Sequence, residues 1–307
     1  MTSVDLDLDL DRIAEAATVI DPVFRGTPQY VDEQLAARLG RSVLTKVETL
    51  NPLRSFKGRG TDFYARDLPA GSRLVCASAG NFGQGLAYAA RKYGHQATVF
   101  VRDDTAAVKI ARMTQLGATV HRVPDDPRVR VEEFAAANPD TRLVIDGREP
   151  AIAEGSGSIG VELLAGGGFD TVVLPVGDAA LISGVARWIK AHDPSIRIVG
   201  VCAAGAPSME RSWRAGRLVV AEEFDPFAAG IAITRPVPEA VRRLTALADD
   251  VVLVDNDAIR AAMALAADTL GVLLEPAGAA GLAAVAVHDL PGEVIATVLT
   301  GANADRS

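Results

Sequence analysis

The segment Ser55-Phe56-Lys57-Gly58-Arg59-Gly60, introduced by Lys46-Val47-Glu48 and Asn51-Pro52, holds the residue type best suited to carbonyl chemistry. A lysine amine can form an imine with a carbonyl cofactor, but only when neutral, and its ordinary pKa is about 10.4. Burial or a nearby cation lowers that value; Arg59 and Lys46 are the candidate cations. On spacing alone, the plainer reading of Lys57 as a solvated lysine on a helix wins, since exposed lysines are abundant. A second segment, Ala77-Ser78-Ala79-Gly80-Asn81-Phe82-Gly83-Gln84-Gly85, is dense in small residues. Between a strand and a helix N-terminus it suits an anion such as a carboxylate; the plainer alternative is a βα turn with Asn81 as N-cap. A third, Pro175-Val176-Gly177-Asp178-Ala179-Ala180-Leu181, could cradle a phosphate with main-chain amides.

Gly155-Ser156-Gly157-Ser158-Ile159-Gly160 matches GxGxxG. The dinucleotide fingerprint must follow a strand directly, whereas the preceding strand is expected to end near Ile145, with Pro150 and several charges between. A nicotinamide site is therefore disfavoured, and these glycines are expected to shape the entry to a helix starting at Ser158. No GxSxG elbow and no GxxxxGK[ST] loop occurs.

The elements that must position these segments alternate from residue 73 onward. Strands are expected at Leu74–Ser78, Ala97–Val101, Ala118–His121, Leu143–Ile145, Thr171–Leu174, Ile196–Val201, Val251–Val254 and Val294–Leu299. Helices are expected at Asn81–Tyr93, Ala106–Leu116, Val129–Ala137, Ser158–Ala165, Leu181–Ala191, Asp257–Thr269 and Gly278–Val287. Such alternation implies right-handed βαβ units on parallel sheets, which bind ligands at the carboxyl ends of their strands. The loops after Ser78 and Leu174 are the places to look. The first residues alternate Asp and Leu (Asp5 to Asp11), which suits an edge strand or a loosely docked arm.

A chain of 307 residues has room for two α/β lobes. Its net charge of −8 offers no footprint for a nucleic-acid backbone. Cys76 and Cys202 read as small apolar residues, and the four scattered histidines show no metal-ligand spacing. The N-terminus lacks the pattern of a secretory signal. The richest apolar stretch, residues 264–287, is broken by Asp268, Glu275 and Pro276, so no membrane span is expected. A cytoplasmic protein without a bound metal is the resulting expectation.

Taken in order, these segments resemble the pyridoxal-5′-phosphate (PLP) enzymes of the tryptophan synthase β superfamily, fold type II, and most closely the threonine/serine dehydratases. Phe227-Ala228-Ala229-Gly230-Ile231-Ala232, Glu275-Pro276-Ala277-Gly278-Ala279 and Leu299-Thr300-Gly301-Ala302-Asn303 fall in the family's order. The resemblance runs from about Gly26 to Asn303. It implies a two-lobed α/β fold, each lobe a mostly parallel sheet flanked by helices. The large cofactor domain would comprise residues 1–72 and 149–307, the small domain 73–148. It further implies that Lys57 holds PLP as an imine and abstracts the Cα proton. Phe56 would pack beside the ring, and Asn81 would hydrogen-bond the ring's 3′-oxygen. Ser78, Ala79, Gly80 and Asn81 would bind the substrate carboxylate. Gly177, Asp178, Ala179, Ala180 and Leu181 would bind the phosphate, and Thr300 would face the pyridine nitrogen. The implied reaction takes a small β-hydroxy amino acid to a 2-oxo acid and ammonia, in a homodimer. The alternative is β-replacement by a nucleophile; a non-catalytic binding protein on this scaffold ranks below both.

The chain departs from the family pattern at three positions. Gly177-Asp178-Ala179-Ala180 stands where relatives have a run of glycines, and the Asp178 side chain is expected to point away from the phosphate. Phe82 replaces the histidine usual after the Gly-Asn pair in dehydratases. Ala79 stands where serine racemases carry a second catalytic base, which disfavours racemisation. Feedback-regulated threonine dehydratases have a further C-terminal domain, for which no room is expected here.

Overall fold

The computed structural model describes residues 6–304. Its strands are β1 (Gln29–Val31), β2 (Ser42–Val47), β3 (Arg73–Ala77), β4 (Gln96–Arg102), β5 (Thr119–Val123), β6 (Thr141–Leu143), β7 (Thr171–Pro175), β8 (Arg197–Ala203), β9 (Asp250–Val254) and β10 (Val294–Leu299). Its helices are α1 (Leu10–Val19), α2 (Glu33–Leu39), α3 (Lys57–Arg66), α4 (Asn81–Lys92), α5 (Ala107–Gln115) and α6 (Pro127–Ala137). They continue as α7 (Pro150–Gly166), α8 (Ala180–His192), α9 (Ser208–Ala215), α10 (Pro238–Leu247), α11 (Asn256–Leu270) and α12 (Pro276–Val287). Two sheets result, in the orders β1-β2-β10-β7-β8-β9 and β5-β4-β3-β6. All pairings are parallel except β1 with β2. The central strands of the larger sheet are apolar on both faces, β7 being buried throughout, because helices cover both sides. One apolar core joins the sheets, including Leu74 and Val99 of the smaller and Val172 and Ile198 of the larger.

The strand and helix alternation after residue 73 follows the pattern, except that the stretch between Val201 and Val251, where no element is expected, holds α9 and α10, and β6 lies at Thr141–Leu143 rather than Leu143–Ile145. The first seventy residues, where the pattern is silent, add α1, α2, α3, β1 and β2. Strand β2 is hidden from a hydropathy reading by Thr45 and Lys46, both buried. Helix α3 contains two glycines and four charged residues and has no side-chain N-cap, so local propensity does not favour it. It forms because residues 58–65 are all buried.

Two expectations change. The glycines at 155, 157 and 160 do not introduce a helix at Ser158; they lie inside α7, which begins at Pro150. They are crossing points: a Cβ at Gly157 would stand 2.9 Å from the Gly184 carbonyl of α8, and one at Gly155 2.7 Å from the Arg59 carbonyl of α3. The Asp/Leu segment, over its described residues, is neither strand nor loose arm. Leu8 is buried, Asp9 caps α1 through the Asp11 amide, and Asp7 takes two hydrogen bonds from the buried Arg243 (2.9 and 2.6 Å). Asp5 lies outside the described residues.

Candidate active site

A cleft of about 970 Å³ lies between the two sheets. Every residue singled out for a site borders it: Phe56, Lys57, Ser78, Ala79, Gly80, Asn81, Gly177, Asp178, Ala179, Ala180, Leu181 and Thr300. They come from the ends of β3, β7 and β10 and from the start of α3, as parallel-sheet topology directs.

Lys57 is the first residue of α3, with its ammonium 4.6 Å from the Phe56 ring centroid and 6.0 Å from that of Phe82. Its partner is Asp146, which accepts a hydrogen bond from Lys57 Nζ across the cleft. The expected cations are elsewhere. Arg59 is fully buried and donates to Glu48, Glu162, Ser158 and Thr27, while Lys46 donates to Glu162 (2.5 Å) and the Thr27 carbonyl. Two cations facing two carboxylates leave no net charge to act on Lys57.

The loop of residues 78–80 joins β3 to α4. Gly80 rather than Asn81 is the N-cap, without a side-chain cap, so the first amides of α4 are left for another acceptor. Asn81 opens the helix with its amide locked: Nδ2 donates to Glu275 Oε1 (2.6 Å) and Oδ1 accepts from Asn303 Nδ2 (2.8 Å). Burial pushes the Glu275 carboxyl above its ordinary value, against the opposing hydrogen bonds from Asn81 and the Asn303 amide. Thr300 is buried, its hydroxyl 3.5 Å from the Ala277 carbonyl.

The turn after β7 leads into α8, where the first amides have no intrahelical acceptor. Ala179 takes a left-handed conformation (φ 61°, ψ 9°), the geometry that a glycine adopts without strain. Asp178 borders the cleft. Burial raises its pKa, Arg128 opposes that from 3.6 Å, and Asp146 adds to it. Asp146 and Asp178 each keep one buried carboxylate oxygen without a hydrogen-bond partner. Arg128, Asp146 and Glu275 carried no assigned role in the sequence reading. A lone carboxylate after a short strand, or an arginine in a helix's first turn, gives no signal until the chain brings them together.

The sequence profile described as "Pyridoxal-phosphate dependent enzyme" matches residues 20–301. The chain belongs to that family. It is 33% identical over 288 residues to the biosynthetic L-threonine dehydratase of Pasteurella multocida, covering 90% of this chain and 56% of the relative. It is 32% identical over 309 residues to the L-threonine ammonia-lyase of Thermotoga maritima, covering 97% and 76%. The solved T.th. threonine deaminase superposes with a TM-score of 0.89 at 30% identity, over 97% of this chain and 99% of that one. The chain thus spans little more than half the length of the Pasteurella multocida relative. The fold is that of the type II members of this family. The cleft fits the family's cofactor: an amine stands at its floor, and a helix start offers free amides and the dipole's positive end to a phosphate. Arg128, 3.6 Å from Asp178, offsets the charge that would oppose that phosphate.

Proposed function

We propose that this chain is a lyase that eliminates the β-hydroxyl of a small amino acid such as threonine or serine, giving a 2-oxo acid and ammonia. The observation that carries this reading is the convergence of Lys57, the 78–81 loop and the 178–181 amides on one cleft. The names of the relatives, dehydratase and ammonia-lyase, point the same way.

When bound, the cofactor supplies an electron sink that lets the Cα–H bond release a proton. The rest falls to the protein. Lys57 is the amine for the cofactor's aldehyde and then the base for the Cα proton. The start of α4 and the small residues Ser78, Ala79 and Gly80 hold the substrate carboxylate. Amides from Asp178 to Leu181 would hold the phosphate, and the neutral Thr300 hydroxyl would face the ring nitrogen, where it would leave the group a milder electron sink than a carboxylate partner would. Phe56 and Phe82, both buried, keep water from the Lys57 side of the cleft. Ala79 carries no titratable group, so no second base stands there for racemisation. A homodimer in the cytoplasm belongs to the same reading, and a monomer mass in sedimentation rejects the dimer.

The test is a visible spectrum of the loaded protein, followed through addition of serine and threonine. Lys57→Ala is expected to lose both the lysine-linked absorbance and 2-oxo acid formation. Retained turnover refutes the assignment, and a new amino acid formed from serine plus sulfide points to replacement instead.

A further inference from the structure

We propose that Asp146 is a second proton-carrying residue of this site, relaying the proton that Lys57 removes from Cα to the departing β-hydroxyl. The inference rests on the lyase reading above. Asp146 is 6% exposed, and one carboxylate oxygen accepts from Lys57 Nζ while the other is buried without a partner. A carboxylate with one oxygen on the base and one free is the arrangement a relay requires. The geometry of the reaction agrees. Cβ is one bond from Cα, so a group touching the amine that serves Cα is within reach of a substituent on Cβ.

The other acids lining the cleft are differently placed. Glu275 is held by Asn81 and the Asn303 amide, Asp178 lies beside Arg128, and Glu132 is exposed. Around Asp146 lie Lys57 at its oxygen, Asp178, which packs against the neighbouring Gly147, and the buried Cys76 thiol.

The loop behind Asp146 is fixed. A Cβ at Gly147 would stand 3.1 Å from the Ala240 side chain and collide with the Asp178 carbonyl. The carbonyls of Gly147 and Arg148 accept from Arg243 (3.1 and 3.0 Å), whose other side is clamped by Asp7. The N-terminal Asp/Leu segment thereby positions Asp146 from outside the cleft.

The step balances. Lys57 takes the Cα proton, and the electron pair of that bond becomes the Cα–Cβ double bond as Cβ–O breaks. The leaving oxygen takes a proton from the Asp146 carboxyl, which is replenished from the Lys57 ammonium. Water leaves, and the amine returns neutral.

The experiment compares wild type with Asp146→Asn on serine and on β-chloroalanine, whose chloride leaves without a proton. The variant is expected to keep the lysine-linked absorbance and Cα-proton exchange into heavy water. Its turnover of serine should fall about 100-fold, in line with the loss of one general acid, while β-chloroalanine elimination stays near wild type. In the cofactor-free protein, acylation of Lys57, read by mass spectrometry, should rise several-fold once Asp146 no longer engages its nitrogen. Unchanged serine turnover, or equal losses on both substrates, overturns the relay. If wild type eliminates neither substrate, the lyase reading fails instead.

Discussion

Replacing Arg59 by methionine tests whether the buried charges beneath Lys57 act as one balanced unit. Arg59 and Glu48 are both 0% exposed, and Lys46 is 1% exposed. The guanidinium donates to both oxygens of Glu48 and both of Glu162. Methionine keeps much of the apolar stem and removes the charge. Two carboxylates then face Lys46 alone, an uncompensated buried charge of the kind that costs about 3–5 kcal/mol. Against a whole-protein stability of about 5–15 kcal/mol, that is a large fraction. It corresponds to a fall in melting temperature of roughly 5–8 °C for a chain of this size. Adding Glu48→Gln to Arg59→Met restores the balance, so the double variant should be more stable than the two single losses sum to, by about 2 kcal/mol. Urea unfolding of wild type, both single variants and the double variant measures all the terms. A loss below about 1 kcal/mol for Arg59→Met, or strict additivity, refutes the argument that the four groups form one unit.

Further outcomes follow from the same chemistry. Burial works against ionisation of Glu162, yet Arg59 and Lys46 hold its pKa at about 2. A folded-state pKa below the unfolded one means stability present above the ordinary carboxylate value and lost as pH falls through the folded one. The melting-temperature gap between wild type and Glu162→Gln should therefore close from about pH 5 downward; a constant gap contradicts this. Burial raises both Cys76 and Cys202 to about 12. Neither thiol should react with a disulfide reagent at pH 8 until the protein unfolds, and fast labelling of the native state disproves the burial.

Much of the site is legible in the sequence because local rules place it. Small residues between a strand and a helix, as at 77–85 and 175–181, mark turns with free helix-start amides, and topology gathers such turns at the carboxyl ends of parallel strands. The order of the short motifs carried Lys57 and Thr300 in the same way. Residues whose role depends on a partner far along the chain leave no such mark. Lys57 and Asp146 are 89 positions apart, Asn81 and Glu275 are 194 apart, and Asp7 and Arg243 are 236 apart. Arg59 and Lys46 show the limit most directly. As a sequence they read as cations bearing on Lys57; folded, they are neutralised by Glu48 and Glu162.

The sequence alone determined most of the alternating strands and helices beyond residue 73, and placed the two small-residue turns and Lys57 that border the cleft, because each is encoded within about ten consecutive residues. The tertiary structure alone decided that a glycine-rich motif would be a helix crossing and that an acidic arm would be clamped to Arg243. It also decided that a carboxylate would meet Lys57. Charge and close packing act through space, and only the folded chain sets which groups are near enough to act.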